Sequence, residues 1–287
     1  MLSTRQIDRY RSQGFIVVED VLARDVIGEL RAVTDGFVER SRALRESDDV
    51  FDLEPGHTPE KPRLRRLKSP ASHHPAYARA LRHPKILDIV AQLIGSGIRY
   101  NGDKLNMKCA GFGSPVQWHQ DWAYYPHTND DLLAVGVTLD DMTVENGCPV
   151  MIPRSHLGPV LDHHQNGVFI GAVTDPRFRP EPVVATEVRA GGVTIHHVRT
   201  VHGSEPNRSD RQRRLLLFQY CALDAFPLLG VTDWDAFNAC VLRGEPTCEF
   251  RTEPVPVRIP RPYAERGGSI YEVQSLLERP FFERTNR

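Results

Sequence analysis

Hydrophobic and polar positions along this chain change rhythm near residue 100. Before it, apolar residues recur mostly at helical spacing. Ser3 or Thr4 can cap a helix carrying Ile7 and Tyr10 that Gly14 ends. The β-branched run Phe15 to Leu22 then reads as a strand, and Asp25 to Leu44 as an amphipathic helix with Val26, Leu30, Val33 and Phe37 on one face. The segment from Arg45 to Pro62 is rich in Asp, Glu, Pro and Gly, lacks periodicity and reads as a surface loop. A helix pair follows around Ala76 to Leu81 and Lys85 to Ile94.

From Tyr100 onward the texture is of short alternating runs split by Gly, Pro and Asn: DKLNMKCA, VQWHQDWAYY, LLAVGVTLDD, PVMIP, VVATEVRA, GVTIHHV and RRLLLFQYCAL. Such close spacing predicts strands of a barrel or sandwich, hence an α+β chain with a mainly β core. The stretch from Gly158 to Val184 is long for a strand connection and reads as a lid or a surface insertion. Arg251 to Pro262 alternates Pro with apolar and Arg residues and reads as extended, while SIYEVQSLLERPFF predicts a short helix ended by Pro280. With 287 residues and neither repeats nor a low-complexity linker, the expectation is one domain over 1–287, with a helical part at 1–99, the β-body at 100–262 and a tail at 263–287.

Composition narrows the field. Hydrophobic residues at 40% and charged residues at 25% supply a core and exclude a disordered or fibrous chain. A net charge of −1 gives no field to gather nucleic acid or anionic membrane, so neither is an expected partner. Five cysteines without a CxxC pair argue against a disulfide framework or zinc ribbon. With a charged opening segment and no long apolar window, the expected setting is cytoplasmic.

The chemistry concentrates at His119-Gln120-Asp121. In a strand, a period of two puts the imidazole and the carboxylate on one face, although among 12 histidines an H-x-D pair alone says little. His202, in GGVTIHHVRTVHGS, can supply a third ligand, and two His with one carboxylate leave the open positions that suit non-haem Fe(II) with a bidentate cosubstrate and O₂. Arg213, eleven residues on, can clamp a dicarboxylate. His196 and His197 stay open as rival third ligands, and Arg211 and Arg214 as rival clamps, because alternation alone does not choose among them.

The order of WHQDWAYYP, VENGCPVMIPRSHLG, HGSEPN and the trailing arginine, behind an opening helix and strand, resembles the phytanoyl-CoA dioxygenase family of Fe(II)- and 2-oxoglutarate-dependent oxygenases. The resemblance implies a double-stranded β-helix, a jelly-roll or cupin-like barrel with N-terminal helices packed on it. It implies His119, Asp121 and His202 as iron ligands, Arg213 and Ser204 on the distal carboxylate of 2-oxoglutarate, and Lys104 and Lys68 as further cosubstrate contacts. The implied reaction consumes O₂ and 2-oxoglutarate, gives succinate and CO₂, and oxidises, by default hydroxylates, a small-molecule substrate. Trp122 and Tyr124 are candidate substrate contacts.

Two positions depart from the family pattern. Gly136 stands where several relatives place a tryptophan beside the cosubstrate, and Arg154 stands where glycine is usual. Asp121 in place of Gly or Ala disfavours the related halogenases. Two other classes are consistent with the same residues: a cupin-like hydrolase or isomerase using Zn²⁺ or Mn²⁺, and a non-catalytic ligand-binding barrel. The adjacent pairs His73-His74 and His163-His164 read as solvated loop histidines, and the cysteines as inert.

Overall fold

The computed structural model describes residues 1–259 and 268–283. Its helices are α1 (Thr4–Gln13), α2 (Arg24–Ser41), α3 (Pro70–His73), α4 (Pro75–Leu81), α5 (Pro84–Ile94), α6 (Trp234–Ala239) and α7 (Ile270–Val273). The strands are β1 (Phe15–Val18), β2 (Phe51–Leu53), β3 (Leu64–Lys68), β4 (Ile98–Lys108), β5 (Val116–His119), β6 (Leu132–Thr138) and β7 (Pro149–Met151). They continue with β8 (His164–Gln165), β9 (Val168–Phe169), β10 (Val184–Ala185), β11 (Val193–His197), β12 (His202–Ser204), β13 (Arg213–Ala222) and β14 (Val241–Arg243).

Among the described residues the strands form a large antiparallel sheet in the order β1-β11-β6-β13-β4-β3-β2, with β14 on β4, and a smaller sheet in the order β10-β7-β12-β5. A cavity lies between them, lined by Lys104, Asn106, Thr194, His196 and Arg213 from the large sheet and by His119, Pro149, His202 and Ser204 from the small one. This two-sheet arrangement agrees with the jelly-roll expectation. The other face of the large sheet is apolar: Leu216, Phe218 and Tyr220 of β13 and Leu105 and Met107 of β4 pack with Leu30 and Phe37 of α2, Tyr77 of α4 and Ile86 and Val90 of α5. Each strand therefore alternates between a helix-packed core and the cavity.

Local chemistry accounts for most boundaries. Ser3 and Gln6 form a reciprocal capping box at α1. Gly14 ends that helix at φ 86°, and a Cβ there would lie 2.5 Å from His156 Nδ1, so the turn into β1 has room only for glycine. β1 stops at Val18, short of the expected Leu22, because Asp20 turns left-handed at φ 57° and the amides of Val21 and Leu22 donate to Gly191 O.

The expected loop from Arg45 to Pro62 contains β2, fully buried and paired with β3; β2 is too short, at three residues, for its alternation to announce it, and β3 lacks alternation. The C-terminal helix forms as expected, but its last 3-10 turn ends at Leu276, before Pro280. The expected boundary at 262/263 and the residues Pro260 to Pro262 lie outside the described residues. No described helix is long and apolar enough to cross a membrane.

Candidate metal and cosubstrate site

β5 and β12 are neighbours in the small sheet, and their register sets His119 directly opposite His202, with ring centroids 4.0 Å apart. Asp121 is not in the strand: β5 ends at His119, Gln120 stays extended, and Asp121 begins a 3-10 turn. The period-two expectation survives because Gln120 carries the alternation one residue further.

That turn is pinned on both sides. The Gln120 amide donates to His163 Nε2 at 2.9 Å, its carboxamide Nε2 donates to Arg199 O at 2.8 Å, and Trp122 N donates to Val198 O at 3.0 Å. His163 and His164 are thus buried structural groups, not solvated loop histidines. The 158–184 segment, instead of standing off as a free lid, packs against β5, with Val173 N donating to Trp118 O at 2.8 Å.

The ligand atoms of His119, Asp121 and His202 lie within 4.8 Å of one another, all buried. His119 Nδ1 donates to Gln117 O at 2.8 Å and His202 Nδ1 to Thr200 O at 2.9 Å, which leaves each Nε2 as the acceptor facing the cluster. Burial pushes His119 down to about 4 and drives His202 in the same direction, so both rings are neutral near pH 7. Burial alone would raise the Asp121 carboxyl, but Lys104, the His196 hydrogen bond and His202 outweigh it and hold the group well below the usual carboxylate range. Two neutral imidazoles and one carboxylate are the donor set that could hold a divalent metal.

His196 and His197 separate as neighbours on a strand must. His196 Nε2 lies 3.3 Å from Asp121 Oδ2 and supports the carboxylate, whereas His197 turns away toward Asp130 at 3.9 Å. The three arginines separate too. Arg211 is exposed, and Arg214 faces the helices, ion-paired to Asp140 at 2.8 Å and Asp35 at 2.7 Å. Arg213 is buried in the cavity wall. It donates only to backbone oxygens, Gly147 O at 3.1 Å and Asn106 O at 3.4 Å, its Nε has no partner, and no acid ion-pairs with it among the described residues.

Opposite Arg213 in register is Lys108, which sequence reasoning passed over. Its ammonium is fully buried and donates to Ser204 Oγ at 2.8 Å and to Glu205 O. Ser204 and Arg213 therefore share one end of the cavity.

Lys104 lies four residues back along β4 from Lys108, roughly 13 Å at strand rise, and lines the same cavity at the Asp121 end. Lys68 does not join it: its ammonium reaches Asp48 O at 2.7 Å on the surface, outside the cavity, so the expectation of a cosubstrate contact there is not met.

Trp122 is packed in a separate apolar cluster with Leu132 and Val198, and its indole donates to Pro256 O at 3.3 Å. The structure gives it a core position where a substrate contact was expected. Tyr124 stays beside the site, its ring edge-on to His119 at 5.9 Å and its hydroxyl donating to Gly171 O at 2.6 Å.

Two wall elements were not legible in the sequence. Over Gly136 the cavity is closed by Thr194, Leu215 and Leu217, which a Cβ at that position would meet at 2.7, 2.9 and 3.3 Å. Ile270 and Tyr271 of α7 close another side, the Tyr271 hydroxyl buried without a partner. Arg154, in the family's glycine position, adopts the left-handed conformation a glycine would favour, φ 65°.

The model of the phytanoyl-CoA dioxygenase (PhyH) family matches residues 10–215. The chain belongs to this family. It is 33% identical over 279 residues, 95% of this chain and 97% of the other, to a probable alpha-ketoglutarate-dependent hypophosphite dioxygenase of Stutzerimonas stutzeri. Among solved structures it is similar to the non-heme alpha-ketoglutarate-dependent carbocyclase SnoK from nogalamycin biosynthesis, with 27% identity, a TM-score of 0.65, and 86% of this chain and 93% of that one covered. A second is the epimerase SnoN in complex with Fe³⁺, alpha-ketoglutarate and nogalamycin RO, with 25% identity, a TM-score of 0.63, and coverage of 89% and 94%. This PhyH chain is, by class, a non-haem iron, 2-oxoglutarate-dependent dioxygenase with the jelly-roll fold.

Proposed function

We propose that His119, Asp121 and His202 hold Fe(II), that Arg213 and Ser204 bind the distal carboxylate of 2-oxoglutarate, and that the enzyme hydroxylates a small-molecule substrate as a single-domain cytoplasmic protein with no nucleic-acid or membrane partner. The observation that carries this reading is a buried, acid-free arginine in the same cavity as a convergent His-Asp-His set. When bound, iron and 2-oxoglutarate would serve to activate O₂, the oxidant, with 2-oxoglutarate giving up two electrons and leaving as succinate and CO₂ while the second oxygen atom goes to the substrate.

The chain's own groups set the stage. Gln117 O and Thr200 O fix the tautomers of His119 and His202, and His196 fixes the carboxylate of Asp121. Lys108 orients Ser204 toward the Arg213 end. Leu215 and Leu217 of β13 and Ile270 and Tyr271 of α7 give the cavity a largely apolar lining. A zinc- or manganese-dependent hydrolase would give Arg213 no task, and a non-catalytic barrel would leave the donor set without use.

The test is anaerobic addition of Fe(II) and then 2-oxoglutarate to the metal-free protein, followed by visible absorption and, on admitting air, succinate assay. The expected result is a charge-transfer band that is lost in His202→Ala and weakened in Arg213→Ala. Metal binding without the band would sink the oxygenase reading.

A further inference from the structure

Several side chains lining the cavity carry a buried polar atom with no partner among the described residues: Asn106 Oδ1, Thr194 Oγ1, His196 Nδ1, Arg213 Nε and the Tyr271 hydroxyl. Buried polar groups are ordinarily satisfied, so their gathering around one space suits a polar ligand. The reading above gives Arg213 the distal carboxylate and His196 the support of Asp121. It gives Tyr271 no task. That residue belongs to α7, outside the residues 10–215 that the family model matches.

Packing and register place the tyrosine. Tyr271 packs with Ile270 and Val116, and Val116 stands opposite Ser204 across β5 and β12. Ser204 accepts from Lys108, which stands opposite Arg213 across β4 and β13. Tyr271 therefore lies at the Ser204 and Arg213 end of the cavity. After burial, Arg213 and Tyr271 are each the largest influence on the other's ionisation, as that placement requires. Thr194, the other unpartnered hydroxyl, is elsewhere. It stands opposite Gly136, in the row that runs through Leu217 to Lys104, four residues along β13 from Arg213.

The ring is held in place before any ligand arrives. The Arg65 guanidinium carbon lies 4.6 Å from its centroid. The 3-10 turn that continues α7 is tied down by Gln274, whose Oε1 accepts from Gln117 N at 2.8 Å and whose Nε2 donates to Gly171 O at 2.7 Å. Gln117 O in turn accepts from His119 Nδ1. Strand β5 thus anchors both a metal ligand and the helix that brings Tyr271. Burial pushes the Tyr271 hydroxyl up to about 12, against the opposing influence of Arg213, so near pH 7 it is a neutral donor.

We propose that Tyr271 donates to the distal carboxylate of 2-oxoglutarate beside Arg213 and Ser204, so that α7 completes the cosubstrate pocket and selects a 2-oxo acid ending in a carboxylate. This deepens the oxygenase reading and rests on it. A carboxylate offers about four lone-pair positions. The Arg213 fork can fill two; Ser204, which accepts from Lys108, keeps its own proton for another; Tyr271 fills the one left.

The test is anaerobic titration of the Fe(II)-loaded protein with 2-oxoglutarate and with 2-oxovalerate, which has the same carbon chain but ends in a methyl group, read from the charge-transfer band. Tyr271→Phe removes one oxygen and keeps the ring. Its dissociation constant for 2-oxoglutarate is expected to rise roughly tenfold or more, the worth of a hydrogen bond to a charged group. Those for 2-oxovalerate, and for Fe(II) alone by equilibrium dialysis, should stay within about twofold. The metal-free variant should melt no earlier than the parent, since the hydroxyl has no hydrogen bond to lose among the described residues.

An affinity for 2-oxoglutarate within about twofold of the parent would overturn the proposal. So would an equal loss for 2-oxovalerate, which would make Tyr271 a packing residue of the cavity. If the variant does not fold, amide hydrogen exchange of α7 in the unmodified, Fe(II)-loaded protein decides instead. Slowing with 2-oxoglutarate but not with 2-oxovalerate supports the contact, and equal exchange with the two acids overturns it. Absence of the charge-transfer band in the unmodified protein would instead overturn the oxygenase reading.

Discussion

Arg213→Met keeps most of the side chain's length and removes its charge, and the structure gives that change two opposite signs. Without ligands, the arginine donates to Gly147 O at 3.1 Å and Asn106 O at 3.4 Å, and no acid matches its charge among the described residues. Burial is the largest influence on the group and pushes its pKa down, a sign that the cation is held where solvation is poor. Losing two backbone hydrogen bonds costs about 1–2 kcal/mol, while relieving an unmatched buried charge returns a similar or larger amount.

The metal-free variant should therefore be as stable as the parent, or more so, within about 1 kcal/mol. Binding of 2-oxoglutarate should move the other way. The fork supplies charge-assisted hydrogen bonds of about 1.5–3 kcal/mol each, partly backed up by Ser204 and Lys108, so a net loss of about 2–4 kcal/mol is expected. That is roughly a 30- to 1,000-fold weaker dissociation constant. Urea unfolding of the metal-free protein reads the first quantity, and anaerobic titration of the chelate band reads the second. A variant destabilised by more than about 2 kcal/mol that still binds 2-oxoglutarate within threefold would refute the reasoning and make Arg213 a structural residue.

The metal set, the cavity wall and a buried histidine give further expectations. His119→Ala should abolish stoichiometric Fe(II) binding by equilibrium dialysis with little loss of fold, since the ring's protein hydrogen bond is a single contact to Gln117 O. Gly136→Val should destabilise by about 1–3 kcal/mol in urea and weaken ligand binding, because its Cβ would displace Thr194, Leu215 and Leu217 into the cavity they line.

His127 is pushed down to about 4, first by burial, although its hydrogen bond to Tyr125 O acts in the opposite direction. A histidine with a lowered folded-state pKa contributes stability that is fully present above about 6.5 and is lost as pH falls toward 4. The shift corresponds to about 3 kcal/mol. His127→Phe should therefore flatten the metal-free stability profile over that window, and an equally steep profile would contradict it.

The helices, the long strands and the chemistry-bearing motifs were legible because their spacing matches the periods of the elements that carry them. His119 and Asp121 converge through an extended Gln120, so a rule for strands worked across a strand's end. The choice of Arg213 over Arg214 was not available from alternation, since both faces of β13 are buried and each holds an arginine; only Asp35 and Asp140 on the helix side show which one is neutralised. β2 and β3 were missed because β2 is only three residues long and β3 is dominated by charged residues, their pairing visible only in three dimensions. Lys108, His163 and Tyr271 escaped for the same reason. Their significance lies in partners distant along the chain, or in the lack of one, and no local pattern encodes that.

The two faces of β13 also divide folding from function. Leu216, Phe218 and Tyr220 are locked against the N-terminal helices, and Arg213, Leu215 and Leu217 look into the cavity. Conserving volume at the even positions preserves the platform; changing charge or volume at the odd ones alters what the cavity accepts while the helix-packed face keeps its contacts. Lys104 and Lys108 on β4 alternate in the same way, with Leu105 and Met107 between them in the core. The cavity's cations thus stand on a rigid, doubly buried sheet, where charge can be held poorly solvated and ready for an anionic ligand without the surrounding fold giving way.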